Sequence, residues 1–402
     1  MTNSNIYQGN IKIKVITSLI CAFVALFSLP GCQTKREGAA GANGNKPEST
    51  AAQGNSQSVS QAGGIAPSDE TRTFRGEIGD QNRIEMKLVR AGDRLTGTYS
   101  YEKVGTPINL SGTIDAKGKF TLSETDSSGK QTGVFKGEWK EPENEAGATL
   151  EGNWTKANGS GELAFYLMEQ HINFSGGLKM VTKQLQEDNK KKRYTMAAEY
   201  PQLEGATNPS VDKFNKEVSG FANSEINEWK ASAGRDPGEE DDNSTSDDDF
   251  SMRYDVTLAN DDLASVLFNI GVYEHGAAHP SSYSKVINYD LKNGRQLKLA
   301  DLFQPGANYL KTISAYSIND LKRQSKKAAP DESLLDDQSI EEGAAAKEDN
   351  YASWNITTKG LLITFDAYQV GPYAAGPQTV VIPYTALKDI IRSDGPLAPL
   401  IK

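Results

Sequence analysis

Short stretches of alternating apolar and polar residues fill the chain from about residue 71 to residue 170. Clusters of Gly, Asp, Asn and Lys separate them, as at Asp115–Gly118 and Ser127–Gly129. Alternation with a period of two is typical of half-buried strands, and such clusters favour turns. About eight strands are predicted, in an all-β meander that forms a small barrel or a strongly curled sheet. The apolar positions include Ile84, Met86, Leu88, Leu95, Tyr99, Tyr101, Phe120, Leu122, Leu163, Phe165 and Leu167.

A motif of one apolar residue, any residue and a glycine recurs five times in this region. Glycine weakens the interior of a strand, so its repetition indicates a use, and sharp bending of the sheet at barrel corners is the obvious one. Trp139 and Trp154 each lie two residues after such a glycine. They are either core residues that close the barrel or platforms for a sugar or a lipid headgroup. The five glycines are Gly76, Gly97, Gly112, Gly137 and Gly152.

After the polar stretch Glu187–Arg193, interpreted as a boundary or loop, the pattern indicates a mixture of helices and strands. Asn208 followed by Pro209 predicts the start of a helix, as an N-cap with proline at the first helical position. The apolar residues that follow lie at helical spacing and predict one face packed on a sheet. They are Val211, Phe214, Val218, Phe221, Ile226 and Trp229.

Beyond this helix, alternating segments predict strands, and Asn293–Gly294 predicts a hairpin turn. A second helix is expected after Pro305 and a short last one near Thr385. The fold class is therefore two domains: the all-β domain over 71–170, then an α+β domain with a mixed or antiparallel sheet and two or three helices. The predicted bounds of the second domain are 190–402, with its C-terminal part at about 265–390.

The N-terminus predicts export. Lys12 and Lys14 precede the apolar run Val15–Leu29, whose length is short for a membrane span but right for the core of a signal peptide. The run closes with Leu29–Cys32, which resembles the lipobox of bacterial lipoproteins. Residues 1–31 are thus a predicted lipoprotein signal peptide, with lipidation at Cys32.

The cysteine count agrees with lipidation, because Cys21 and Cys32 are the two cysteines and cleavage removes the first. Residues 32–70 are predicted to be the lipidated cysteine and a disordered tether, since they contain few large apolar residues. A membrane anchor through this lipid is expected. The protein would face the periplasm from the outer membrane in a Gram-negative host, because Gln33 is not the aspartate of inner-membrane retention. In a Gram-positive host it would lie on the outer face of the cell membrane.

Cleavage removes two lysines and no acidic residue, so the net charge changes from −10 to −12. This charge argues against binding of nucleic acid. The stretch 236–249 carries eight acidic residues but lacks the spacing of a known calcium loop. It is either a solvated loop or a calcium site.

Two segments carry the candidate chemistry. His275 and His279 are two of three histidines and lie four residues apart, in a loop that Gly276 and Pro280 favour over a helix. They are a metal pair, structural residues that hydrogen-bond the loop, or ligand contacts. The loop 368–376 is the second candidate, either as a rigid turn or as a site where tyrosines stack on a sugar or anchor a protein. If both loops meet, the predicted ligand-binding residues are Tyr273, His275, His279, Tyr368 and Tyr373.

The sequence predicts no catalytic residue, metal or cofactor. It contains neither the H-E-x-x-H motif nor the G-x-S-x-G motif, and no reactive cysteine. A metal-dependent hydrolase of envelope polysaccharide, using His275 and His279, is the alternative to a binding protein. A purely structural envelope lipoprotein is a third hypothesis.

Several segments of the second domain match a known family in its order: Tyr273–His279, Asn288–Leu291 with Gly294, Leu297–Phe303, Leu361–Phe365, Tyr368–Gly376 and Val381–Tyr384. Through these segments the domain resembles the extracytoplasmic domain of unknown function shared by a lysozyme-sensing anti-sigma factor and a peptidoglycan deacetylase. Residues 190–260 resemble the partner domain that usually precedes it. The resemblance covers about half the chain and implies recognition of an envelope ligand, either cell-wall glycan or a muramidase-like protein. No polysaccharide deacetylase domain is recognised, so it implies no deacetylase activity.

Overall fold

The computed structural model describes residues 71–79, 82–206, 208–234, 247–327 and 334–401. Within these ranges the chain forms a closed antiparallel barrel of eight strands, followed by a domain with a mixed sheet and four helices. The predicted two-domain fold class is confirmed, and two of the helices are short, with seven and four residues. The predicted signal peptide, Cys32 and the tether lie outside the described residues, as do residues 235–246 of the acidic stretch.

The barrel is an up-and-down meander in which each strand pairs with the next. Its first strand pairs with both the second and the last, which closes the cylinder. The strands are β1 (Thr71–Ile78), β2 (Asn82–Ala91), β3 (Arg94–Tyr101), β4 (Ile108–Ile114), β5 (Lys119–Thr125), β6 (Gln131–Lys140), β7 (Thr149–Lys156) and β8 (Leu163–Gln170).

Alternate side chains of these strands fill the barrel interior, as the sequence pattern requires. The glycines of the repeated motif lie in the strands where the neighbouring backbone approaches closely. A Cβ atom at Gly97 would lie 1.9 Å from the carbonyl oxygen of Lys87, and one at Gly112 would lie 1.9 Å from that of Thr121. Any larger residue would therefore push the strands apart and open the curvature that closes the barrel.

Both tryptophans of the barrel pack against its core. Trp139 is buried and meets Phe74 edge to face, with ring centroids 5.0 Å apart. Trp154 is partly buried, and its indole N–H donates to the buried carboxylate of Glu124 at 2.8 Å. Of the two interpretations of these residues, the structure supports the core role.

The second domain begins with a sheet in the order β10-β11-β12-β13-β14-β15, in which β11 and β12 are parallel and β9 pairs with β12. This sheet starts before residue 190, because Lys179–Asn189 is its edge strand and pairs along its length with Tyr194–Glu204. The stretch 187–193 is the end of that strand and a hairpin turn. The elements are β9 (Ile172–Asn173), β10 (Lys179–Asn189), β11 (Tyr194–Glu204), β12 (Asp248–Asn260), β13 (Leu263–Tyr273), β14 (Ser281–Asp290) and β15 (Arg295–Gln296).

Helix α1 (Pro209–Ser232) packs on one face of this sheet through the predicted apolar stripe. The Asn208 side chain accepts a hydrogen bond from the Ser210 N–H at 2.9 Å, so the predicted N-cap is confirmed. Phe221 is partly buried, and the other residues of the stripe are buried.

The C-terminal part adds a three-stranded antiparallel sheet and three helices around a second apolar core. A buried polar network joins its first strand to the larger sheet. The Asn288 amide donates to the Trp354 carbonyl oxygen at 2.7 Å and accepts from the Ser265 hydroxyl at 2.6 Å. The elements are α2 (Tyr309–Lys327), α3 (Asp337–Gly343), β16 (Trp354–Ile356), β17 (Gly360–Phe365), β18 (Gln378–Pro383) and α4 (Tyr384–Leu387), with 3-10 turns at Leu299–Leu302, Glu348–Tyr351 and Tyr373–Ala375.

One buried arginine ties the barrel to the second domain. The Arg75 guanidinium, from β1, donates to Glu102 of the barrel at 2.5 and 3.2 Å. It also donates to Glu199 at 3.2 Å, to the Thr182 hydroxyl at 3.1 Å and to the Tyr254 carbonyl oxygen at 3.0 Å. Its centre lies 4.1 Å from the centroid of the Tyr254 ring. This side chain therefore shares its charge between two carboxylates on opposite sides of the domain junction.

Within the described ranges, each helix is too short or too polar to cross a lipid bilayer.

Candidate binding site

Two loops of the C-terminal half meet at one edge of the fold. The turn 274–280 connects β13 to β14, and the loop 366–376 follows β17. Asp366 joins them, because its carboxylate accepts from the Ser284 N–H at 3.0 and 3.1 Å and from the Ser284 hydroxyl at 2.6 Å. The start of the second loop is thus fixed on the strand that leaves the first.

Three of the predicted site residues form one aromatic cluster, which we define as His279, Tyr368 and Tyr373. The rings of His279 and Tyr373 are stacked, with centroids 4.0 Å apart and an interplanar angle of 24°. The Tyr368 ring lies 5.5 Å from that of Tyr373, at 36°. The Tyr373 hydroxyl donates to the Pro280 carbonyl oxygen at 2.8 Å, which fixes the central ring.

The same carbonyl oxygen determines the tautomer of His279. The His279 Nδ1 atom lies 2.9 Å from the Pro280 oxygen, and a carbonyl oxygen can only accept. Nδ1 therefore carries the hydrogen, and in the neutral ring Nε2 is left as an acceptor. Because His279 is exposed, this acceptor can serve a ligand that approaches the cluster.

The loop holds Tyr368 outward on a constrained backbone. Tyr368 is 65% exposed and has φ of 71°, which is unusual for a residue other than glycine. The next residues anchor the loop, since Gln369 donates to the carbonyl oxygens of Gly343 and Asn350 at 3.2 and 3.0 Å, and Val370 is buried. An exposed ring on a backbone that its neighbours constrain is a feature that often accompanies a binding role.

His275 is held elsewhere, by Asp248 at the start of β12. Both its backbone N–H and its Nδ1 atom lie 2.7 Å from the same Asp248 oxygen. Burial opposes ionisation of Asp248, but hydrogen bonds from the Gly234 N–H and from His275 hold its pKa below the usual value. His275 is thus held at the turn by Asp248, which is a buried part of a stretch that the sequence suggested was a solvated loop or a calcium site.

Tyr273 is the last residue of β13 and is half-buried, opposite Asp249 in the ladder. The structure therefore brings together His279, Tyr368 and Tyr373, and gives His275 a different partner. In the ranges that the structure describes, no three His, Cys, Asp or Glu side chains are grouped so as to hold a metal ion. The hydrolase hypothesis thus gains no third ligand for the two histidines from these residues.

Sequence reasoning missed the residues that hold the cluster in place. These are Asp366, directly after β17, Ser284, within β14, and Gln369, in the loop itself. Each is an ordinary polar residue whose partner lies more than 15 residues away in sequence. The position of Asp366 directly after a buried strand was the single available signal. Hydrogen-bond partners this far apart in sequence can be identified once the three-dimensional arrangement of the two sheets is known.

Comparison with known proteins identifies the class of this C-terminal region. Residues 300–385 match DUF3298, a protein family of unknown function. The chain therefore carries a DUF3298 domain, which contains α2, the small sheet and two residues of the aromatic cluster, Tyr368 and Tyr373. His279 precedes the matched residues.

The chain is also similar to a curated protein, the peptidoglycan-N-acetylmuramic acid deacetylase PdaC of Bacillus subtilis. The two are 26% identical over 204 residues, which is 51% of this chain and 40% of the relative. The chain thus spans less than half the length of that relative. The predicted resemblance to a domain shared with a peptidoglycan deacetylase is confirmed.

Two solved structures of DUF3298 family members are similar to part of this chain. One, from Bacteroides fragilis, is 18% identical and covers 57% of this chain and 98% of its own, with a TM-score of 0.42. The other, from Pseudomonas aeruginosa, is 16% identical and covers 53% of this chain and 95% of its own, with a TM-score of 0.37.

Proposed function

We propose that this protein is an extracytoplasmic, lipid-anchored binding protein of the cell envelope, and that its aromatic cluster binds cell-wall glycan. The observation that carries the proposal is the exposed Tyr368 ring beside the stacked pair of Tyr373 and His279. These rings belong to loops fixed by Asp366, Gln369 and the Pro280 carbonyl oxygen. The cluster is therefore preorganised, and little conformational entropy is lost when a ligand binds.

The chemistry of the cluster fits a sugar. A pyranose ring presents an apolar face of C–H groups, which packs on an aromatic ring, and hydroxyl and amide groups at its edge, which donate hydrogen bonds. Tyr368 supplies the exposed ring, and His279 supplies an acceptor at Nε2. The name of the Bacillus subtilis relative refers to N-acetylmuramic acid of peptidoglycan, which supports the choice of this ligand class.

The lipid anchor is the second part of the proposal. It rests on the apolar run Val15–Leu29 and on Leu29–Cys32, and on the similarity of the C-terminal region to a protein of peptidoglycan metabolism. Mass spectrometry of the N-terminus of the native protein tests it. We expect a mature chain that begins at a diacylglyceryl-modified Cys32, and a chain that retains residues 1–31 would refute the anchor.

Sedimentation with purified, protein-free cell wall tests the glycan site. The change Tyr368→Ala removes the exposed ring while leaving the contacts of Gln369 and Val370 in place. We expect the apparent Kd to rise about 5- to 30-fold, which corresponds to about 1–2 kcal/mol for a lost aromatic contact. The matched control is Tyr166→Ala, which removes another exposed tyrosine, 47% exposed and located on the barrel.

Equal loss of binding in the two variants, or none in either, would refute the glycan site. An immobilised lysozyme column supplies the other arm of the test. Retention there that depends on Tyr368, without retention on cell wall, would assign the cluster to a muramidase-like protein partner instead. A protein that binds neither material would be left with the structural role of an envelope lipoprotein.

A further inference from the structure

A cleft of about 620 Å³ lies between the barrel and the DUF3298 domain, a size typical of small-molecule sites. It opens beside Lys359, which directly precedes β17, whereas the aromatic cluster lies beyond the other end of that strand. Its apolar wall is formed by Tyr316, Val381 and Pro383. We call it the interdomain cleft, because Glu143, from the loop between β6 and β7, lines its barrel side.

Basic side chains from the DUF3298 domain converge on this cleft in a chain that is acidic overall. Arg323, from α2, and Lys359 both line it. Lys359 donates one N–H to the Pro142 carbonyl oxygen at 3.2 Å, so its ammonium has two further donors. Basic residues near the C-terminal end of a helix are often explained by their stabilising interaction with the helix dipole. Lys359 lies outside any helix, so this explanation does not apply to it.

The barrel places a carboxylate where a ligand anion would bind. Glu143 accepts from Arg323 Nη1 at 2.9 Å and lies 3.7 Å from Lys327 Nζ. The hydrogen bond from Arg323 is the main reason that the pKa of Glu143 lies below its usual value. The Glu143 side chain is nevertheless 73% exposed, and exposed ion pairs contribute little to stability. A ligand carboxylate can therefore replace it at small cost.

We propose that the interdomain cleft binds a short peptide with a free C-terminal carboxylate, which displaces Glu143 from Arg323. A carboxylate suits this position better than a phosphate, because the same guanidinium already pairs with the buried carboxylate of Asp320. The Arg323 guanidinium accommodates a second carboxylate with one negative charge, because it already pairs with Glu143 as well as with Asp320. A ligand group with two negative charges would be repelled more strongly by Asp320. The peptide side chains would lie against Tyr316, Val381 and Pro383.

Fluorine NMR titration of the purified full-length protein with trifluoroacetyl-alanyl-alanine tests the proposal. The free acid should bind and the C-terminal amide should not. Arg323→Gln should weaken binding of the acid at least about 10-fold, whereas Glu143→Gln should strengthen it about two- to five-fold by removing the internal competitor. The control is Arg295→Gln, because the Arg295 side chain is also 48% exposed and pairs with Asp301 outside the cleft lining.

The Glu143→Gln variant guards against a trivial result, since a damaged fold weakens binding and does not strengthen it. Equal affinity for acid and amide would overturn the proposal, and so would weaker binding of the acid by Glu143→Gln. Stronger competition by inorganic phosphate than by acetate, with the same dependence on Arg323, would overturn the choice of a carboxylate. Because this cleft does not include the aromatic cluster, these results are independent of cell-wall binding.

Discussion

Replacement of Arg75 by methionine tests whether a single buried cation holds the two domains together. Arg75 is 5% exposed, and its removal leaves the carboxylates of Glu102 and Glu199 at the junction without their main partner. Loss of one member of a buried ion pair costs about 3–5 kcal/mol. Arg83 remains 3.5 Å from Glu199, so we expect the lower part of that range, about 3–4 kcal/mol. That loss is a large share of the stability of an ordinary domain.

Urea unfolding at pH 7.5 and pH 4.5, followed by tryptophan fluorescence and far-UV circular dichroism, measures this loss. In the native protein, burial opposes ionisation of Glu102, but the hydrogen bonds from Arg75 hold its pKa below the usual value. Its contribution is therefore present above the unfolded-state pKa and is lost as the pH falls through the folded-state pKa. In the variant the orphaned Glu102 carboxylate takes up a proton more readily, so the loss should be clearly smaller at pH 4.5 than at pH 7.5.

The triple variant with Arg75→Met, Glu102→Gln and Glu199→Gln is the control. It removes the two charges as well as their partner, and exchange of a whole buried ionic group for neutral groups is often close to neutral. We expect it to recover most of the lost stability at pH 7.5. A loss below about 1 kcal/mol for Arg75→Met, or no recovery in the triple variant, would show that the reasoning from buried charge is wrong.

Two further predictions concern the loop and the junction. The change Gly343→Ala should lower both stability and cell-wall binding, because its Cβ atom would lie 1.8 Å from the backbone carbonyl oxygen of Gln369, the residue whose side chain anchors the loop of the aromatic cluster. Gly220→Ala, in α1, is its control in thermal unfolding, where it should stabilise by about 0.5–1 kcal/mol because its Cβ atom meets nothing within 4 Å. Burial raises the pKa of Glu145 to about 7, so the native protein should lose stability as the pH rises from about 4.3 to 7. Glu145→Gln should remove this dependence, so between pH 5 and pH 8 its free energy of unfolding should gain about 1–2 kcal/mol relative to that of the native protein. Parallel pH profiles of the two proteins would contradict this prediction.

The elements that the sequence predicted well are those whose signal is local. The stripe from Val211 to Trp229 repeats at helical spacing, and Asn208 caps the helix, so α1 follows from adjacent residues. The barrel followed from period-two alternation and from the recurrent glycines. Strand β10 was missed because it is the edge of its sheet, where most side chains are exposed or half-buried and the alternation is weak.

The candidate site was predictable in part. The loop 368–376 and His279 stood out by their glycines, proline and aromatic residues, and the structure places Tyr368, Tyr373 and His279 together. The spacing of His275 and His279 suggested a pair, but the turn directs them to different partners. Asp248, which holds His275, belongs to an acidic run whose composition indicated a solvated loop, and its burial depends on the packing of β12.

The closure of the barrel by β1 has a mechanical consequence. Tension applied from the N-terminal side of the chain enters the described structure at Thr71, the first residue of this strand. Strand β1 is paired on both sides, with β2 from Thr71 to Ile78 and with β8 from Thr73 to Ile78. Arg75 fixes this strand to the second domain as well. Extraction of β1 along its axis must break two ladders together, so a pulling force should meet high resistance at the first step of forced unfolding.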